Sequence, residues 1–245
     1  MIIGYHKPKN YLEKIVMKPE IFDLFPLSVF KDKILIQQKE KQEILEYIFN
    51  MEKDTENINK RKNDAWLGDT RGHEFLLKHP KMKTLARLIA EKIKAYTDML
   101  NIDNDKLCFF YQRSWATITR TKERIQPHSH DQSNISFAYY PLKPEHSGDI
   151  RFIVQPQNEI AIGLFHQEKI KMGLLKEINK RNTPNVDLYI EEDDIVIFPS
   201  KTKHSTIPNK TEHPRISISG DICIMLKDSF GHERLMPHYN NWQEF

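Results

Sequence analysis

Residues 214–226 read PRISISGDICIML, and this stretch decides the fold. Isoleucines alternate with polar residues at the period of a strand, whose successive side chains point to opposite faces. Arg215, Ser217 and Ser219 face one way, while Ile216 and Ile218 face the other. Back along the chain, short runs rich in β-branched and aromatic residues recur: DIVIFP (194–199), VDLYI (186–190), DIRFIV (149–154), NISFAYY (134–140), SWATITR (114–120) and KLCFFYQ (106–112). Turn residues such as Pro127, Pro144, Gly148, Pro184 and Pro208 separate them. Many short strands without a βαβ rhythm predict a double-sheet jelly roll.

The first hundred residues follow a different period. EKQEILEYIFNME (40–52) puts Ile44, Leu45, Ile48 and Phe49 on one helical stripe, and residues 74–100 read as one or two helices broken near Pro80. Leu85, Leu88, Ile89, Ile93, Tyr96 and Leu100 then form a packing face for a sheet. The expected class is α+β. A single domain spans 1–245, with 1–105 mainly helical support, 106–226 the jelly-roll core and 227–245 a C-terminal extension. Residues 155–185 are the least regular piece. Their amphipathic stretch EKIKMGLLKEINK fits either a lid over a site or a surface helix.

At 245 residues, with 39% hydrophobic and 29% charged residues, the chain is long enough and apolar enough to bury a core. The net charge of +3 is a small surplus, and the densest basic run, Lys60-Arg61-Lys62, reads as a solvated loop, so nucleic acid is not the expected partner. Two cysteines, Cys108 and Cys223, without a CxxC exclude a disulfide framework and a cysteine-rich zinc site, and fit a reducing compartment. No apolar run approaches the ~20 residues that span a bilayer, and MIIGYHKPKN lacks the apolar centre of a signal peptide. The expectation is a soluble cytoplasmic protein with no membrane partner. Oligomeric state leaves no mark in the sequence.

The chemistry gathers around three histidines. His128 and His130 stand two residues apart in PHSHDQSNISFAYY (127–140), and His204 follows a strand in DDIVIFPSKTKHSTIPN (193–209). Imidazole suits Fe(II), and three protein ligands on one face leave positions open for substrate and oxygen. An HxH pair on its own is common on loop surfaces; a neighbouring strand and a distant third histidine single this one out. Arg215 and Ser217 add a second function, because a guanidinium with a hydroxyl two residues on makes a carboxylate clamp. Tyr140 and Ser136 share one side of their strand, opposite Ile135, Phe137 and Tyr139. Trp115 reads as packing, and Arg151 as either substrate-facing or exposed.

These residues together resemble the 2-oxoglutarate/Fe(II)-dependent oxygenases, and more narrowly the 2OG-Fe(II) oxygenase family met in bacteria and marine phages. SWATITR, PHSHDQSNISFAYYP, SGDIRF, DDIVIFPSKTKHSTIPN and PRISISGD carry the resemblance over roughly 25–225, and the upstream DAWLGDT fits as well. The resemblance implies a double-stranded β-helix (jelly roll) core with supporting N-terminal helices, and Fe(II) and 2-oxoglutarate as cofactors. It implies hydroxylation of a small molecule or protein side chain with release of succinate and CO2. Arg215 and Ser217, assisted by Tyr140, would hold the cosubstrate, and no side chain outside the metal centre would be catalytic. Position 130 departs from the family pattern, which has an acid there. Either His128, His130 and His204 hold the metal together, or Asp131 substitutes for one of the pair through a bulge. A three-His cupin-like metalloenzyme without 2-oxoglutarate and a non-catalytic jelly-roll binding module remain open beside this reading.

Overall fold

The computed structural model describes residues 21–23, 26–55, 63–153, 166–231 and 236–245. Its elements are β1 (Phe30–Lys33), α1 (Gln38–Asp54), β2 (Trp66–Leu67), α2 (Lys83–Met99), β3 (Leu107–Thr119), β4 (Ile135–Leu142), β5 (Ile150–Ile153), α3 (His166–Lys171), β6 (Asn185–Leu188), β7 (Asp194–Pro199), β8 (His204–Thr206) and β9 (Arg215–Leu226), with short 3-10 turns between some of them. A six-stranded sheet runs β1-β7-β4-β9-β3-β2, and a three-stranded sheet runs β6-β5-β8. The two sheets form the jelly roll, and α1 and α2 cover the outer face of the larger one.

Alternation along the strands builds both layers of the core. Ile216, Ile218 and Ile222 of β9, Ala116 and Ile118 of β3, Phe137 and Tyr139 of β4, and Ile195 and Ile197 of β7 pack outward on Ile44, Ile48, Leu85, Ile89 and Ile93 of the helices. The intervening positions turn inward. There Ala138, Tyr140, Val196 and Phe198 meet Ile150 and Phe152 of β5. Full burial of a large apolar side chain contributes about 1.5–3 kcal/mol, so the outer layer carries much of the fold's stability.

Some boundaries differ from the sequence reading for local reasons. KLCFFYQ and SWATITR form one strand, β3, because the register shift between Tyr111 and Arg113 absorbs an extra residue without ending the pairing with β9. β1 adds to the sheet by pairing with β7, although FKDK carries no apolar alternation. β2 adds through Trp66↔Ile118 and Leu67↔Thr117. Pro80 does break the second helical region: the His79 side chain accepts from Lys81 N–H, and the long helix starts only at Lys83. Of the expected insertion at 155–185, the part up to residue 165 lies outside the described residues, as do Lys60, Arg61 and Lys62; in its described remainder Met172, Leu174 and Ile178 are exposed. Among the described residues, no helix is long and apolar enough to cross a membrane.

Candidate metal centre and anion pocket

His128 and His204 come together through backbone pairing. Each donates its N–H to the other's carbonyl at 2.9 Å, a reciprocal antiparallel bridge that places both side chains on one face. His130 N–H then donates to Ser200 O, also at 2.9 Å, which carries the extended segment past β8 and returns the second histidine to the same side. The three imidazoles offer nitrogen atoms that all lie within 4.8 Å of one another. Asp131 is not among the gathered groups; it is exposed, and its carboxylate accepts from Ser129 Oγ.

The other nitrogen of each ring is already engaged. His128 Nδ1 lies 2.8 Å from Gln126 O and His204 Nδ1 lies 2.9 Å from Thr202 O. A carbonyl can only accept, so both Nδ1 atoms carry the proton and both Nε2 atoms keep a free lone pair. His130 Nδ1 faces Asp221 Oδ2 at 3.2 Å, and the same logic applies. Three Nε2 lone pairs with fixed tautomers are the donor set that a divalent transition metal requires. Burial, with the neighbouring His128, pulls His204 down to about 3, and burial likewise lowers His128. Both therefore stay neutral, the form that binds metal.

Asp221 is the functional residue that the sequence reading passes over. Its carboxylate is buried, which by itself would raise its pKa; hydrogen bonding and charge from His130, with help from Ser136 Oγ at 2.8 Å and Arg113, outweigh burial and hold it below the ordinary value. The acid missing from position 130 thus reappears behind the ring of His130. Continuing the alternation of Arg215, Ser217 and Ser219 by one step was the signal that could have found it.

Arg215 is 1% exposed and engages neutral acceptors. Nη1 donates to the carbonyls of Ser147 and Gly148 at 2.8 and 2.7 Å, and Nη2 to Thr119 Oγ1 and Thr206 Oγ1 at 3.2 and 3.0 Å. This corrects the simple picture of a guanidinium fork open to a ligand. Among the described residues no carboxylate pairs with it, while nearby Asp149 is paired with Lys143 at 3.3 Å. A buried cation in this state favours an added anion. Gly148 makes the arrangement possible, because a Cβ there would stand 2.1 Å from Ile207 O and 2.9 Å from Arg215 Nη1.

Between the sheets lies a cavity of ≈ 280 Å³ whose wall includes the three histidines, Trp115, Tyr140, Phe198, Thr206 and Ser217. Thr206 Oγ1 accepts from both Ile125 N–H at 2.9 Å and Arg215 Nη2, so its own proton is left to donate. Burial pushes the Tyr140 phenol up to about 12, against the pull of Arg215, and keeps its proton on as well. Thr117 Oγ1, on the same inner face, is buried without a partner. These hydroxyl donors in front of a buried guanidinium suit a carboxylate. Trp115 lines the cavity beside His130 at 5.6 Å between ring centroids, in addition to packing. Arg151 is outside the site, paired with Asp187 on the exposed side of β5.

Residues 113–221, from Arg113 to Asp221, match the family described as "Putative 2OG-Fe(II) oxygenase". Over this stretch, a little under half of the chain, the sequence is similar to the 2OG-Fe(II) oxygenases. Fe(II) and 2-oxoglutarate are the metal and cosubstrate that name this class, and the three-His cluster with the hydroxyl-lined pocket fits both. Among solved structures, the chain resembles AviO1 from Streptomyces viridochromogenes, with 11% identity, a TM-score of 0.51, and coverage of 80% of this chain and 90% of that one. It also resembles SnoK, a non-heme alpha ketoglutarate dependent carbocyclase from nogalamycin biosynthesis, with 12% identity, a TM-score of 0.50, and coverage of 86% and 87%. At such identities the likeness speaks for the shared fold. No match is found among curated proteins.

Proposed function

We propose that the Nε2 atoms of His128, His130 and His204 hold Fe(II), and that 2-oxoglutarate lies with its far carboxylate against Thr206, Ser217 and Tyr140, in front of Arg215. The reaction is then hydroxylation of a substrate C–H bond: substrate, 2-oxoglutarate and O2 give the hydroxylated product, succinate and CO2. Bound Fe(II) would supply chelation of the cosubstrate and activation of dioxygen. The chain's own part is binding, orientation and exclusion of water.

The observation that carries this reading lies on a single strand. His204 and Thr206 are neighbours on one face of β8 and line the same cavity, about 7 Å apart along the strand. Thr206 donates its hydroxyl proton to the carboxylate because both of its acceptor positions are taken by Ile125 N–H and Arg215. Ser217 and Tyr140 add donors, and Arg215 supplies the opposing charge from behind. Asp221 keeps a proton on His130 Nδ1 and offsets the charge of an all-imidazole site. Trp115, Phe198 and Ile150 close the cavity with apolar surface.

Anaerobic calorimetric titration of 2-oxoglutarate into the Fe(II)-loaded protein tests the assignment. Thr206→Val should weaken binding about tenfold, the worth of one hydrogen bond to a charged group. Arg215→Leu should weaken it about a hundredfold or more. A folded Arg215→Leu variant that binds 2-oxoglutarate and forms succinate like the parent would defeat the carboxylate assignment.

A further inference from the structure

The three imidazole rings are not oriented by the same means. His128 and His204 each rest Nδ1 on a backbone carbonyl two residues back in their own segment, Gln126 O and Thr202 O. The partner of His130 Nδ1 is instead a side chain from another strand, Asp221 Oδ2 at 3.2 Å. A carboxylate can turn about its own bonds, so it directs the ring only if something fixes it in turn. Behind Asp221 stands a line of three serines. Ser136 Oγ lies 2.8 Å from Asp221 Oδ1 and 3.0 Å from Ser200 Oγ, which lies 2.7 Å from Ser133 Oγ. Ser136, Ser200 and Asp221 are 2%, 1% and 3% exposed, so bulk water does not compete for these bonds.

Each hydroxyl has one proton to give and an ionised carboxylate only accepts, which sets the direction of every bond in the line. Ser136 donates to Asp221, Ser200 must therefore donate to Ser136, and Ser133 donates to Ser200. Both Asp221 oxygens are then engaged, Oδ1 by Ser136 and Oδ2 by the His130 ring. Ser200 also holds the other end of His130. Its carbonyl accepts the His130 N–H at 2.9 Å and its own N–H donates to Asn134 O at 3.1 Å, so it clamps both ends of the loop 130–134. The main chain of His130 is thus tied to Ser200 through a carbonyl, and its ring through the Ser200 hydroxyl, Ser136 and Asp221. Ser200 directly follows β7 and Ser136 sits in β4, strands that pair through Ser136↔Phe198, so the circuit rests on the large sheet.

We propose that Ser200 is a positioning residue of the metal centre: acting through Ser136 and Asp221, its hydroxyl fixes the rotamer of the His130 ring and with it the direction of Nε2. The proposal rests on the reading in which the three histidines hold the metal, and adds to it the residue that aims one of the ligands. A ring already fixed loses no rotamer freedom when the metal arrives, so affinity is gained without a further contact. His128 and His204 need no such circuit, because a paired backbone carbonyl is already immobile. Ser133, at the outer end, only orders the Ser200 hydroxyl and stands furthest from the ring.

The test has a metal-free and a metal-loaded arm, both on the full-length protein carrying 13C,15N-labelled histidine. Without metal, three-bond couplings should report one χ1 rotamer for His130 in the parent and averaging in Ser200→Ala, while His204 keeps its rotamer in both. With Co(II), Ser200→Ala should bind about tenfold more weakly, the lower end of what a ligating histidine loses with its supporting bonds. In an Asp221→Asn background, which already breaks the circuit, the same substitution should change Co(II) affinity less than about twofold, because residues acting in series do not add. A serine that merely stabilised the loop would weaken binding by the same factor in both backgrounds. One His130 rotamer retained in Ser200→Ala, unchanged Co(II) affinity, or an undiminished loss on top of Asp221→Asn overturns the proposal. If Ser200→Ala does not fold, Ser136→Ala breaks the circuit one bond later and should give the same averaging and the same loss. If the parent protein does not bind Co(II), the metal reading falls, while the metal-free couplings still decide whether Ser200 aims the ring.

Discussion

The two faces of β9 differ in what each residue answers to. On the helix side, Ile216, Ile218 and Ile222 are buried against α1 and α2, and their contribution is apolar area. On the inner side, Arg215, Ser217 and Asp221 are just as buried, and each faces a named polar partner or the cavity. One strand therefore serves stability and chemistry with alternate residues. The difference teaches that burial alone does not distinguish core from site; the direction of the alternation does.

The comparison can be broken most forcefully at the metal. His204→Ala removes one of three converging nitrogens, and loss of stoichiometric Co(II) or Fe(II) binding and of succinate formation is expected, with a far-UV circular dichroism spectrum like the parent's. Retained stoichiometric binding would remove His204 from the centre. Next in size, Ile218→Ala on the helix face should cost about 2–5 kcal/mol in urea unfolding and leave metal affinity in the folded protein unchanged. A large loss of metal affinity with unchanged stability would erase the distinction between the faces. Smaller still, Asp221→Asn should lower metal affinity by about 10–100-fold, the usual effect of removing the partner of a ligating histidine. Equal affinity in that variant would mean that His130 is oriented without it.

The parts legible in the sequence are those with a period. RISIS announced its two faces, and the structure places Ile216 and Ile218 outward and Ser217 inward, as the alternation demands. The three histidines were legible because an HxH pair and a distant histidine are rare enough together to suggest a shared ligand. Other features had no such signal. β8 is three residues long, too short for alternation to register, although it bears both His204 and Thr206. Asp221 follows Gly220, and a Gly-Asp pair reads as a turn. Here the glycine is required by packing, since a Cβ would lie 2.7 Å from the Phe137 ring, and the strand continues through it. The engagement of Arg215 by backbone carbonyls was equally hidden, because those acceptors come from the distant turn at Ser147 and Gly148.

The most direct test of the account is optical. Fe(II) and 2-oxoglutarate added anaerobically to the protein should give a weak visible charge-transfer band that saturates at one equivalent of each. The band should be absent in His204→Ala and should require far more 2-oxoglutarate in Arg215→Leu. A band that forms normally in His204→Ala, or no band in a parent protein that binds Fe(II), would contradict a three-imidazole iron site that receives 2-oxoglutarate.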